Sequence, residues 1–249
     1  MPKFSVITVV LNGANTIRQT IQSVLSQQHI DLEYIIQDGG STDGTQSIIQ
    51  EFKDERIVFV EQNDNGLYDA MNMALNIARG EFIAFLHSDD VFASPDVLKN
   101  IARVFEEKNT ESVYADLKYV DREDCSRVIR TWKSGKFERN YFLLGWMPPH
   151  PAFFVCRTVY QRYGKFNTDF QFAADYELML RFLYRFSIST SYLPECVVHM
   201  RMGGKSNRSW RSRILANRED KNAWKVNNLS PYFFTFVLKP VRKIFQYFL

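Results

Sequence analysis

The sequence predicts an α/β fold built on a mostly parallel, Rossmann-like sheet flanked by helices, and three observations carry that prediction. Over the first hundred residues, short apolar runs alternate with segments whose apolar residues recur at helical spacing. The segments that follow the second, third and fourth apolar runs are rich in glycine, asparagine and carboxylates, the chemistry of ligand-bearing loops at the carboxyl ends of parallel strands. Hydrophobic residues make up 45% of the 249, enough for a sizeable core and too many for a disordered chain.

FSVITVV is the first strand, and Ile17, Ile21, Val24 and Leu25 mark one face of the helix after it. LEYIIQ is the second strand; DGGSTDGT turns it into a helix marked by Ile48, Ile49 and Phe52. RIVFVEQ is the third, followed by a helix carrying Leu67, Ala70, Met71, Ala74, Leu75 and Ala78, and GEFIAFLH is the fourth. Ser94-Pro95 reads as N-cap and first position of a helix through about residue 107. Strand-like segments follow near 112–120 and 127–132, then the loop WMPPHP and the apolar AFFVC. Tyr176, Met179, Leu180 and Leu183 give FAADYELMLRFLYRF a helical period, ahead of a strand over Tyr192–Met200, a GGKSN loop and a polar helix to about Val226. No internal repeat or linker interrupts this, so residues 1–226 form one domain and residues 227–249 an appendage.

Composition excludes several classes. Cys125, Cys156 and Cys196 are odd in number and widely spaced, which fits a reducing cytosol rather than a disulfide framework or a metal cluster. No apolar run reaches the roughly 20 residues that span a bilayer, and FSVITVVL leads at once into Asn-Gly and an amphipathic helix, so it reads as a strand rather than a signal core. The net charge of +3 hides an asymmetry: residues 200–249 hold eleven Lys/Arg against Glu219 and Asp220, leaving the rest net acidic. In SPYFFTFVLKPVRKIFQYFL seven aromatics interleave with Lys239, Arg242 and Lys243, and Pro240 precludes one ideal helix. That pattern suits an interfacial anchor with rings at the acyl boundary and basic groups near anionic headgroups; the alternative is a helix docked on the protein's own core. It is too apolar for a nucleic-acid arm.

Two motifs carry chemistry. Asp38 ends the second strand before a tight glycine turn, placed to accept hydrogen bonds from a base or ribose, while Asp43 is placed to cap the following helix. Asp89 and Asp90 end the fourth strand side by side, and adjacent carboxylates tolerate one another when a divalent cation supplies the missing charge.

A first strand ending in Asn12, then QDGGSTDGT, NDNGLYDAMN, GEFIAFLHSDD and FAADYELMLR, in that order, resembles the family 2 glycosyltransferases, and within them enzymes of bacterial exopolysaccharide, O-antigen and colanic-acid type. The resemblance implies a GT-A fold, with a nucleotide-sugar-binding part over about 1–110 and an acceptor-side part over about 111–226. It implies an inverting, Mn²⁺- or Mg²⁺-dependent transfer from a nucleotide-diphospho-sugar, with UDP the expected nucleotide, to a lipid-linked saccharide at the inner face of the cytoplasmic membrane. Asp175 then falls at the catalytic base, with Glu177 its rival. Thr8, Asn12, Asp38, Asn65, Asp69, Asp89 and Lys205 fall on the donor side, Asp90 and His199 at the metal, and Trp146 and His150 near the acceptor. Lys205 and Arg208 sit where a lid over the diphosphate would be. Gln37 replaces an acid common in the family, and Met71 stands where many members carry arginine. A sugar nucleotidylyltransferase would carry a basic glycine-rich loop after the first strand, which LNGANTIRQT lacks, and a non-catalytic nucleotide-sugar-binding scaffold would have no use for Asp175.

Overall fold

The computed structural model describes residues 2–203 and 210–239. Strands β1 (Phe4–Val10), β2 (Leu32–Asp38), β3 (Ile57–Glu61) and β4 (Phe82–Phe85) run parallel in the order β3-β2-β1-β4. Helices α1 (Ile17–Leu25), α2 (Thr45–Glu51) and α3 (Leu67–Ile77) make the crossovers. The register pairs Val10 with Asp38, Asp38 with Glu61 and Ile7 with Phe85, so the four carboxyl ends finish along one edge. All of β1 and β2 is buried, as expected of strands covered on both faces.

Beyond β4 the sheet changes character. Strand β5 (Val91–Phe92), helix α4 (Val97–Lys108), strands β6 (Ser112–Val120) and β7 (Val128–Trp132), and β8 (Phe153–Cys156) with helix α5 (Arg157–Tyr163) come next in the chain. Helix α6 (Ala174–Met179) continues as a π-helical turn over Leu180–Arg185, ahead of β9 (Thr190–Arg201) and α7 (Trp210–Val226). β8 inserts antiparallel between β4 and β6, β9 runs parallel to β6, β5 pairs antiparallel with β9, and β7 hangs on the outer part of β6. One core packs α1 and α4 on one face of the sheet; the other packs α3, α5, α6 and Trp224 of α7 on the opposite face.

Two expectations change. Helix α4 starts at Val97 with Asp96 in the capping position, not at Ser94-Pro95. The carboxamide of Gln27, just past α1, accepts from the Leu98 amide at 3.0 Å and donates to the Ser94 carbonyl at 2.8 Å, satisfying that helix start from another element. The tail's first part docks on the body. Thr235 donates to the Leu143 carbonyl at 2.6 Å, and Lys239 pairs with Asp220 at 2.7 Å over the ring of Tyr176. Gly145 (φ 75°) makes this possible, because a Cβ there would stand 2.5 Å from the Lys239 amide nitrogen. The opposite side leaves Tyr232, Phe233 and Val237 in solvent, Phe233 being 93% exposed. Residues 240–249, with Arg242 and Lys243, lie outside the described residues.

Candidate active site

The loops after β1 and β2 hold one another. Asn12 adopts φ 57°, and its carboxamide oxygen accepts from the Thr42 amide at 2.9 Å while its own amide donates to Ser41 at 2.8 Å. The Gly13 amide donates to Thr45 at 2.9 Å and the Ala14 amide to Asp43 at 3.0 Å. Asp43 also accepts from the Thr45 amide at 3.1 Å, the helix-starting role its position suggested. The β2 loop also abuts the one after β3: a Cβ on Gly39 would lie 2.4 Å from the Asp64 carboxylate, and one on Gly40 2.5 Å from the Asn63 carboxamide. The two glycines thus let three loops close into one crevice wall.

Asp38 and Asp90 share an unusual state at this edge. One oxygen of Asp38 accepts from the Gly40 and Ser41 amides at 2.9 and 2.8 Å and from Gln46 at 3.0 Å, while the other is buried without a partner. Asp90 is 1% exposed; Oδ1 accepts from the Arg201 amide at 3.2 Å, and Oδ2 is likewise buried and unpartnered. Burial, then the neighbouring Asp89 charge, pushes the Asp90 carboxyl well above the usual carboxylate range. Asp89 is half-buried. Thr20 clamps the turn by donating to the Ser88 and Asp90 carbonyls at 3.0 and 2.8 Å, and the Arg201 guanidinium reaches the Asp89 carbonyl and Gln19.

Thr8 is a correction. It is fully buried, donates to the Leu86 carbonyl at 2.8 Å and accepts from Tyr34 at 3.0 Å, so its hydroxyl is spent tying β1 to the end of β4 and reaches no donor. Trp146 is core as well: its indole donates to the Ser134 carbonyl at 2.9 Å and its ring packs against Tyr114, Phe137 and Phe142. His199 lies on β9 opposite Val91 and beside Lys118, whose positive charge, added to burial, keeps its imidazole basicity low. Among the described residues no three His, Cys, Asp or Glu gather closely enough to hold a metal, so His199 does not complete a site with Asp89 and Asp90. Lys205 and Arg208 lie outside the described residues.

Asp175 stands half-buried in the first turn of α6 and accepts from the Tyr68 hydroxyl at 3.4 Å. It does not cap that helix. Glu219 of α7 instead fixes the loop leading into it, accepting from the amides of Gln171, Phe172 and Ala173 at 3.0, 2.8 and 2.9 Å. Glu177, the rival carboxylate, is 3% exposed and fully engaged: Arg181 binds both its oxygens at 2.9 and 3.0 Å, and Asn227 donates at 3.0 Å. Tyr68 stacks on Phe166, which meets Phe85 at the end of β4 and His150 edge-on, linking Asp175 to the strand edge through rings. His150 is buried against Phe85, and burial followed by the nearby His87 pushes its pKa down to about 3, so it is neutral.

Residues 5–206 match the family described as Glycosyl transferase family 2. The chain belongs to that family. The glycosyltransferase is 30% identical over 211 residues, 83% of its own length and 80% of theirs, to PGL/p-HBAD biosynthesis glycosyltransferases of Mycobacterium tuberculosis and Mycobacterium bovis. Over 102 residues, 41% of each chain, it is 41% identical to the Escherichia coli UDP-Glc:alpha-D-GlcNAc-diphosphoundecaprenol beta-1,3-glucosyltransferase WfaP. Its fold matches that of S. aureus TarS 1-349 in complex with UDP-GlcNAc, with TM-score 0.72 at 19% identity over 90% of this chain and 65% of that one. The mannosyltransferase PcManGT of Pyrobaculum calidifontis, in complex with GDP-Man and Mn2+, aligns with TM-score 0.69 at 20% identity over 96% of this chain and 72% of that one. These likenesses place the glycosyltransferase in the GT-A fold.

Sequence reasoning missed Arg201, Tyr68 and Glu219 in this glycosyltransferase. One signal was available: Glu219 and Asp220 are the sole acids in residues 200–249, and both are spent on specific partners, the loop before α6 and Lys239. The residues present fit a hard divalent cation. Asp90 is a buried carboxyl with a spare oxygen, an all-oxygen donor whose ionisation a cation favours, and few protein ligands leave positions open for water and phosphate oxygens.

Proposed function

We propose that the protein is an inverting, divalent-metal-dependent glycosyltransferase that moves a sugar from a UDP-sugar to a hydroxyl of a lipid-linked saccharide. The observation that carries this reading is the pair of buried, unpartnered carboxylate oxygens, Asp38 Oδ2 and Asp90 Oδ2, at the end of β2 and in the turn after β4, the two strands that flank β1. An orphaned acceptor of this kind costs stability unless a ligand completes it. The spare Asp38 oxygen suits an N–H donor of the nucleobase or a ribose hydroxyl, and Asp89 and Asp90 would hold Mn²⁺ or Mg²⁺. When bound, that ion supplies positive charge to the leaving diphosphate, where negative charge grows in the transition state.

Asp175 supports the other half of the reaction. As the acceptor hydroxyl attacks the anomeric carbon and the bond to the nucleoside diphosphate breaks, the hydroxyl proton passes to the Asp175 carboxylate. Tyr68 orients that carboxylate, and Glu219 steadies the loop that leads to it. One displacement with one base inverts the anomeric configuration. The lipid-linked acceptor rests on the likeness to WfaP, whose name specifies a diphosphoundecaprenol-linked substrate, and on the exposed Tyr232, Phe233 and Val237 face leading into the basic, aromatic end of the chain. Among the described residues no helix is long and apolar enough to cross a membrane.

The test is turnover of a nucleotide-sugar panel with Mn²⁺ or Mg²⁺, repeated with Asp175→Asn. The expectation is metal-stimulated donor hydrolysis, and in the variant a transfer rate lower by about 10²–10⁴-fold with donor binding retained. A variant that transfers normally would remove Asp175 from the reaction.

A further inference from the structure

A cleft of about 460 Å³ opens between the start of α3 and the loop before α6. Asn65, Leu67, Tyr68, Asp69, Thr168 and Gln171 line it, together with the buried Phe170. The volume falls in the range of small-ligand sites, and the lining mixes apolar surface with a few polar groups. Two features define what fits there. The lining holds amides, two hydroxyls and one carboxylate but no Lys or Arg among the described residues, a poor environment for phosphate and a good one for neutral hydroxyls. Tyr68 belongs both to the cleft and to Asp175, so the cleft adjoins the proposed base.

The walls are held in place from elsewhere. Asp69 accepts from the Asn65 amide and carboxamide at 2.9 and 3.2 Å, bracing the α3 side. Glu219 fixes the backbone of Gln171, Phe172 and Ala173, bracing the other side and the approach to Asp175 together. Asn72, deeper along α3, accepts from the Phe166 amide at 3.0 Å and donates to the Phe166 carbonyl at 2.9 Å, tying the two walls to each other. A loop pinned at this many points is a preformed site rather than an accidental gap.

We propose that this cleft is the subsite for the terminal sugar ring of the acceptor, a neutral saccharide whose attacking hydroxyl is thereby presented to Asp175. This rests on the glycosyltransferase reading and reassigns Asn65 and Asp69 from the donor side to the acceptor side. The anionic part of the donor belongs instead with Asp38, Asp89 and Asp90 at the strand ends.

Saturation-transfer NMR tests it with methyl α-glycosides of glucose, galactose, rhamnose and N-acetylglucosamine, each in the presence of saturating UDP and Mg²⁺. The expected result is transfer to at least one glycoside in the wild-type protein. That signal should be lost in Gln171→Trp, which fills the cleft, and at least halved in Thr168→Ala, which leaves packing intact. UDP affinity by calorimetry should stay within twofold in both variants. The proposal is overturned if no glycoside receives saturation, if the signal survives Gln171→Trp in folded protein, or if the variants weaken UDP instead. Failure of wild-type protein to bind UDP at all would strike the glycosyltransferase reading, whereas normal UDP binding without a glycoside signal strikes the subsite alone.

Discussion

The turn after β4 and the junction of α6 with α7 each bury a carboxylate, and they treat it in opposite ways. Glu177 at the junction meets a bidentate guanidinium and a carboxamide, while Asp90 at the turn keeps one oxygen with nothing to bind. Arg181, which completes the first, also donates to the Tyr163 and Lys165 carbonyls, so the junction is a closed network. The guanidinium near the second, Arg201, is directed to a backbone carbonyl and Gln19 instead of the Asp90 carboxylate. Burial alone therefore separates nothing; what differs is whether the protein itself completes the buried carboxyl.

This contrast breaks if the two acids respond alike to substitution. Asp90→Asn should cost about 10²–10³-fold in metal-stimulated turnover while leaving the metal-free thermal midpoint unchanged or higher, because a buried carboxyl that is costly to ionise gives way to a neutral group of the same shape. Glu177→Ala should do the reverse, destabilising the fold by about 3–5 kcal/mol in urea titrations with Arg181 left unpaired. Equal stability losses in both would sink the distinction.

Glu219→Ala probes the junction from the α7 side. It strips three backbone amides of their acceptor, which predicts a loss of about 1–3 kcal/mol, a lower kcat and an unchanged donor KM. Restoration by Glu219→Gln would mark hydrogen bonding as its role; a rise in donor KM would count against it.

His150 sharpens the comparison through pH. Its imidazole is held neutral by burial, down to about 3, whereas the unfolded chain takes up a proton near 6.5. The unfolded state then binds more protons between those values, so stability from this group is complete above about 6.5 and is lost as pH falls toward 3. His150→Phe should flatten the acid side of a pH–stability profile from thermal melts, and an unchanged profile would place the acid sensitivity elsewhere. The smallest effect on folding belongs to Phe233→Ala, which should change stability by no more than about 0.5 kcal/mol. It should still reduce sedimentation with anionic liposomes; undiminished binding would argue against that face as the membrane contact.

The N-terminal half was legible because its contacts repeat a local pattern. Period-2 and period-3.6 runs located β1 to β4 and α1 to α3, and glycine and carboxylate loops followed the strands where a parallel sheet gathers them. Thr8 misled because a hydroxyl near a strand end looks the same whether it faces a ligand or, as here, closes a buried bond between Tyr34 and Leu86. Trp146 misled likewise, since an aromatic in a proline loop does not announce that its indole will find the Ser134 carbonyl. Asp175 stood ahead of Glu177, two residues on in the same helix, only through the family resemblance; Arg181 and Asn227 engage Glu177 and leave Asp175 the less committed carboxylate.

The sequence by itself determined the alternation of strand and helix, the carboxylates at the strand ends and the family, because each is written in residues close together along the chain. Tertiary structure alone decided that Gln27 starts α4, that Glu219 fixes the loop leading into α6, and that Gly145 lets the tail dock at Lys239. The physical reason is common to all three. Unpaired amides and a backbone's close approach must be satisfied by whatever the fold brings near, and the groups that do so here lie 46 to 94 residues away, beyond any local pattern except in one place: the two lone acids of a basic segment.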